Sequence, residues 1–224
     1  MTSVRTIAAH DVVRHEFPRE PTERDRLGMA TGKAIDAAVS RLSHEVGQGR
    51  RPTQSALGRF AEEQFDREVE AEGLEVPAVD RATAIRQSQE VLRAFRRSEL
   101  CGLPRPKSRL VLIDDDAGIY VQPDFWNGGS RIYEMKTYRA VPLPPDVELQ
   151  LHLFQLGFPS AVAYIACFDR HVTPVATYLE PVPPPDETRR AAILEHARTL
   201  ALTTGMEKVL EYVDAPIVRY TRSV

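Results

Sequence analysis

The sequence predicts an α/β fold, a mixed sheet flanked by helices, with an N-terminal helical portion. Three observations carry that expectation. Apolar residues recur at three- and four-residue spacing through the first half of the chain. Between residues 109 and 138 the period falls to two, and the turn formers DDDAG and NGGS separate three apolar runs. A helical stretch, two more strand-like runs and a last helix follow, and helices and strands mixed in this way build a layered domain.

Residues 1–27 are polar and charged, with Pro18 and Pro21 among acids and bases, and read as a loose lead-in or a docking arm. From Gly28 the pattern turns helical, with Ile35, Ala38, Val39 and Leu42 on one face, until GQGRRP at 47–52 breaks it. A second helix runs from about Gln54 to Ala71 on Leu57, Phe60, Ala61 and Phe65. A third runs from about Asp80 to Leu100 on Ile85, Val91, Leu92 and Phe95, and Pro104 and Pro106 close the helical half. Strands are expected at 109–113, 119–126 and 131–138, the last two joined as a hairpin. After the proline cluster at 142–145, DVELQLHLFQLGF reads as a short helix, 160–168 and 172–180 as strands, and 186–213 as a closing helix interrupted at Gly205. The expected organisation is an arm at 1–27 and one domain at 28–224. That domain divides into a helical portion 28–103, an α/β core 104–180 and a C-terminal helix 186–213.

Composition narrows the function classes. With 42% hydrophobic and 27% charged residues in 224, the chain matches ordinary globular proteins and excludes collagen-like and wholly disordered ones. A net charge of -3 excludes a generally basic coat for nucleic acid but leaves room for a local basic groove. Cys101 and Cys167 are the only cysteines, too few for a four-thiolate zinc site, an iron–sulfur cluster or a disulfide-rich scaffold. No signal-like apolar segment opens the sequence, and no run nears the roughly 20 apolar residues of a membrane span, so a cytoplasmic location away from membranes is expected.

The hairpin carries the unusual chemistry. Asp124 follows Pro123 at the end of its first strand. Glu134 and Lys136 lie two apart on its second strand, which places them on one face. Pairing the strands brings Asp124 beside Glu134. Two adjacent carboxylates repel unless a cation sits between them, and hard oxygen ligands favour Mg²⁺ or Mn²⁺. Lysine is scarce here, at 33, 107, 136 and 208 only. Beside a metal, Lys136 could orient or help deprotonate a water, or neutralise a phosphate oxygen.

The run VQPDFW–NGGS–RIYEMKT resembles the P-D…(D/E)-x-K signature of the PD-(D/E)xK nuclease superfamily. ELQLHLFQLG, downstream, resembles the Q-L-x-L-Y element of its RecB-like exonuclease branch, with Gln150 at the glutamine and Phe154 at the tyrosine. TGKAIDAAVSRL, upstream, resembles that branch's G-x-x-x-H element, with Gly32 at the glycine and Asp36 at the histidine. The likeness covers about residues 28–168.

The resemblance implies a restriction-endonuclease-like core and metal-dependent hydrolysis of DNA, in repair, recombination or processing. Asp124, Glu134 and the backbone carbonyl of Met135 would ligate Mg²⁺ or Mn²⁺, with Asp36 replacing a histidine ligand. Lys136 would be the catalytic lysine and Gln150 would line the site. Tyr138, at the end of the third strand, and Arg139, just after it, are candidate DNA contacts, by stacking and by phosphate pairing. Relatives that carry an iron–sulfur cluster need four cysteines, so none is expected here. Ring-shaped assemblies occur among related exonucleases, so the resemblance admits a homo-oligomer as well as a repair or recombination partner. The competing reading is a catalytically degenerate nucleic-acid-binding or assembly module on the same fold, motivated by Asp36, Phe154 and the acidic net charge. Several bland readings stand beside these. Trp126 reads as packing, Glu62 and Glu63 as a solvated face, and His152 as lying off the site. Arg50, Arg51, Arg96 and Arg97 read as solvated pairs.

Overall fold

The structure is a computed structural model, and it describes residues 3–220. It bears out the α/β class, with two mixed sheets in place of one. The elements run β1 (Ser3–Ala8), α1 (Ala9–Glu16), α2 (Glu23–Gly47), α3 (Gln54–Ala71), α4 (Ala78–Phe95), β2 (Arg109–Leu112), β3 (Ala117–Val121), β4 (Phe125–Trp126) and β5 (Arg131–Lys136). They continue with α5 (Pro145–Gly157), β6 (Val162–Asp169), β7 (Ala176–Val182), α6 (Glu187–Thr204), β8 (Met206–Val209), a short 3-10 turn and β9 (Ile217–Arg219). One sheet has the order β8-β1-β3-β2-β9 and the other β4-β5-β6-β7.

The expected strand at 119–126 is broken in two, which splits the sheet. Pro123 has no N–H to give a ladder, so β3 stops at Val121 and pairing resumes only at Phe125. β4 then pairs antiparallel with β5, Phe125 opposite Tyr133 and Trp126 opposite Ile132. Carrying that register one step back sets Asp124 opposite Glu134.

The second sheet is covered on both faces, and period two sorts the residues of β5 between them. Tyr133 and Met135 pack with Phe125, Ala166 and Phe168 against Ile35, Val39, Leu57, Leu92 and Phe95 of the three long helices. Ile132 faces the opposite core, with Leu149, Leu151 and Leu153 of α5 and with Val111, Ile119 and Val121 of the first sheet. Glu134 and Lys136 share the face of Ile132 and so look toward α5.

Residues 3–27 belong to the fold and are neither a loose lead-in nor a docking arm. β1 lies inside the first sheet, parallel to β3 and antiparallel to β8. α1 buries Ala9 and Val12 behind it. Thr22 and Asp25 form a capping box, the threonine hydroxyl accepting from Asp25 N–H and the aspartate accepting from Thr22 N–H at 3.0 Å, so α2 starts at Glu23. The closing helix also ends earlier than expected, at Thr204, and the chain turns into β8 against β1.

Gly205 makes that turn possible. A Cβ there would stand 2.3 Å from the Ala201 carbonyl oxygen and 2.7 Å from that of Thr6, both backbone atoms with little freedom to move. Gly205→Ala is therefore expected to cost about 1–3 kcal/mol, the usual range for overpacking. Urea unfolding would read it as a lower midpoint at unchanged slope.

Candidate active site

Asp124 sits at the break between β3 and β4, its backbone outside either ladder. Its side chain replaces the missing pairing: Oδ2 accepts a 2.8 Å hydrogen bond from the Met135 N–H. That bond locks the carboxylate beside the strand carrying Glu134 and Lys136. Lys136 Nζ donates to Glu134 Oε1 at 2.7 Å and to Gln150 Oε1 of α5 at 3.1 Å. Four of the sequence-predicted residues thus form one connected cluster. The Glu134 side chain is buried, and that of Lys136 is 18% exposed.

Asp36 reaches the cluster from α2, on the other side of the sheet. Its carboxylate is hydrogen-bonded to the Arg105 guanidinium, and the same nitrogen lies 3.8 Å from Asp124 Oδ1. Burial raises the Asp124 carboxyl well above the ordinary range, and the charges of Glu134 and Asp36 raise it further against the pull of Arg105. Lys136 moves the other way for its class. Burial disfavours its ammonium, but the Glu134 carboxylate outweighs that and holds Lys136 above the usual lysine range. Lys136 is a hydrogen-bond donor to both Glu134 and Gln150 in this arrangement.

The donor set fits a hard divalent ion held by few protein ligands. Among the described residues no three acidic, imidazole or thiol groups form a closed cage. Two carboxylates face each other at Asp124 and Glu134, and the third, Asp36, is held by an arginine. Mg²⁺ sites of this kind use one or two carboxylates and leave the remaining positions to water and substrate oxygens.

The other expectations divide. Tyr138 is 38% exposed and follows β5, near enough for the Lys136 charge to oppose the upward push of burial on its hydroxyl. Arg139 is exposed beside it. Phe154 is buried in the core that also holds Ile132 and α5. His152 is buried, with its Nδ1 unpartnered. Glu62 pairs with Arg81. Trp126 packs edge-on against Phe158, with Arg109 over its ring.

Two features escaped the sequence reading. Arg105, between Pro104 and Pro106, bridges the acids. Its signal is an arginine whose backbone is restrained by prolines just before the first strand of the core. The second is Arg170, which is buried and donates to Thr137 Oγ1 at 2.8 Å and to the Gly28 carbonyl at 3.0 Å. It ties the start of α2 to the end of β5. A Cβ on Gly32 would lie 3.7 Å from both Arg170 and Thr137, an ordinary contact distance that leaves room for a side-chain methyl.

No protein-family model matches the chain, and no curated protein does. Two solved structures are similar to it. A crystal structure of a Eubacterium rectale protein named "Putative exonuclease" aligns with a TM-score of 0.52 and 11% identity, over 94% of this chain and 86% of that one. The crystal structure of SSO0001 aligns over 90% of this chain and 77% of that one, at 14% identity and a TM-score of 0.40. The first likeness shows the fold, a mixed α/β core of the restriction-endonuclease-like kind. No helix of the described residues is long and apolar enough to cross a membrane.

Proposed function

We propose that this chain is a Mg²⁺- or Mn²⁺-dependent deoxyribonuclease of the RecB-like branch of the PD-(D/E)xK nucleases, acting as an exonuclease in DNA repair, recombination or processing. One observation carries the reading. Asp124, Glu134, Lys136 and Gln150 come from three separate stretches of the chain and meet in one cluster. A solvated strand face would not bury Glu134 or bond its lysine to a glutamine on the covering helix.

In this reading Asp124 and Glu134 hold the ion, with the Met135 carbonyl beside them. The bound ion supplies an activated water and neutralises charge on the phosphoryl group. Lys136 presents its ammonium to a non-bridging phosphate oxygen or to the attacking water, where a fixed positive charge is worth most as negative charge develops. Gln150 holds the lysine in place. The Met135 N–H fixes one Asp124 oxygen and leaves the other for the ion. Tyr138 and Arg139 flank the path of the strand.

The non-catalytic binding module is favoured by one feature, the pairing of Asp36 with Arg105 in place of a ligating histidine. The test separates the two readings. Purified protein is incubated with linear and covalently closed circular DNA, single- and double-stranded, in Mg²⁺, Mn²⁺ or EDTA. Metal-dependent loss of linear DNA with circles surviving is expected. Binding without cleavage in either metal would assign the module.

A further inference from the structure

Beside the carboxylates lies a cavity that none of the roles above uses. The last two turns of α2 and the segment from Gly102 to Arg105 enclose about 490 Å³. Ser40, Ser43, His44, Gln48, Pro104 and Arg105 line it. Arg105 is the wall it shares with the acidic cluster, because the same guanidinium binds Asp36 and approaches Asp124.

Ser43 marks the cavity as a place for a ligand. Its residue is 5% exposed and its hydroxyl has no hydrogen-bond partner. A serine inside a helix commonly bonds the carbonyl four residues back, as Ser40 does to Asp36 at 2.7 Å. Ser43 lines the cavity and leaves its buried hydroxyl unpaired, and an unpaired buried polar group costs roughly 1–3 kcal/mol until something pairs with it.

Two parts of a nucleic-acid strand could enter, a phosphate or a base, and the electrostatics decide between them. The cavity is at the C-terminal end of α2, where the last carbonyls carry partial negative charge and repel a phosphate. Beside Arg105, the remaining polar side chains are two hydroxyls, an imidazole and an amide. They donate and accept, as the edge of a base requires. His44 Nε2 and Gln48 Nε2 already lie 2.9 Å apart, forming one polar patch. The volume falls within the range of about 300–1,000 Å³ typical of small-ligand pockets, enough for one nucleoside.

We propose that this cavity receives the base of the nucleotide next to the phosphodiester at the carboxylate cluster, with Arg105 on the phosphate between them. The inference rests on the nuclease reading of that cluster. It makes Ser43, His44 and Gln48 specificity-determining residues, and it requires the base to be unstacked, as in a single strand.

The test is a fluorescence-anisotropy titration of labelled single-stranded deoxypentanucleotides into the full-chain Lys136→Met protein in Mg²⁺. One abasic residue is placed in turn at each position. At one position, loss of the base is expected to weaken binding about tenfold. In a His44→Ala, Gln48→Ala double variant, changed only at exposed residues, that penalty should vanish. Ser43→Leu, which fills the cavity, should bring the intact strand down to the affinity of the abasic one. If intact strands bind with no positional penalty, the base pocket is wrong and the nuclease reading stands. The same holds if the penalty persists unchanged in the double variant, or if the variants weaken intact and abasic strands equally. If no pentanucleotide binds, the base pocket fails, and the cleavage assay on double-stranded DNA decides the nuclease reading separately.

Discussion

Replacing Asp124 by asparagine is expected to stabilise the metal-free protein while abolishing cleavage. In the metal-free state burial and the charges of Glu134 and Asp36 lift the Asp124 carboxyl well above 3.8. A carboxyl raised on folding binds its proton more tightly in the folded state than in the unfolded one. Its contribution to stability is therefore complete below the unfolded value and is lost as pH rises through the folded one. Above the unfolded value the raised carboxyl is a liability to the metal-free fold, whether it holds its proton or ionises. Asparagine keeps an acceptor for the Met135 N–H and removes the charge. The gain should be about 1–3 kcal/mol, read as a rise of roughly 2–4 °C in melting temperature per kcal/mol for a chain of this size. The fall in stability as pH rises above the unfolded value should flatten in the variant. Added Mn²⁺ should raise the melting temperature of the native protein, because an ion that binds only the folded state stabilises it by mass action. It should leave the variant unmoved.

Lys136→Met should have the largest effect on catalysis with the least effect on metal. Methionine matches the length of the side chain and removes its charge. It leaves Glu134 and Gln150 without the donor they share at 2.7 and 3.1 Å. Removing a fixed charge aimed at the reacting group typically costs on the order of 10²–10³ in kcat. Substrate affinity should change far less, so the loss falls on kcat rather than KM. Mn²⁺-induced thermal stabilisation should survive. Lys136→Arg should fail to rescue, because a planar guanidinium cannot occupy the point between a carboxylate and an amide that the ammonium holds. An effect confined to KM would instead assign Lys136 to ground-state binding alone.

The parts legible in the sequence are those fixed by local spacing. α3 falls on Gln54–Ala71 as the Leu57, Ala61 and Phe65 spacing predicts. The hairpin register follows from NGGS and period two, and it suffices to bring Asp124, Glu134 and Lys136 together. Gln150 follows because a helix after β5 must pack back over its face. The parts that could not be read depend on partners far along the chain. β1 alternates weakly and looks like a charged arm until β3, more than a hundred residues on, and β8 close over its two edges. β8 itself, MEKV, has three of four residues exposed and no apolar pattern to announce a strand. Arg105 is equally invisible, since its partners lie on α2 and at the β3–β4 break. Its role comes only from the packing of those elements around one point.

The most direct test of the metal-dependent site is a calorimetric titration of Mn²⁺ into the native protein and into Glu134→Gln. Saturable binding to the native chain, lost or weakened at least tenfold in the variant, is the predicted result. Equal affinity in the two proteins, or no binding to a folded native chain, would contradict it.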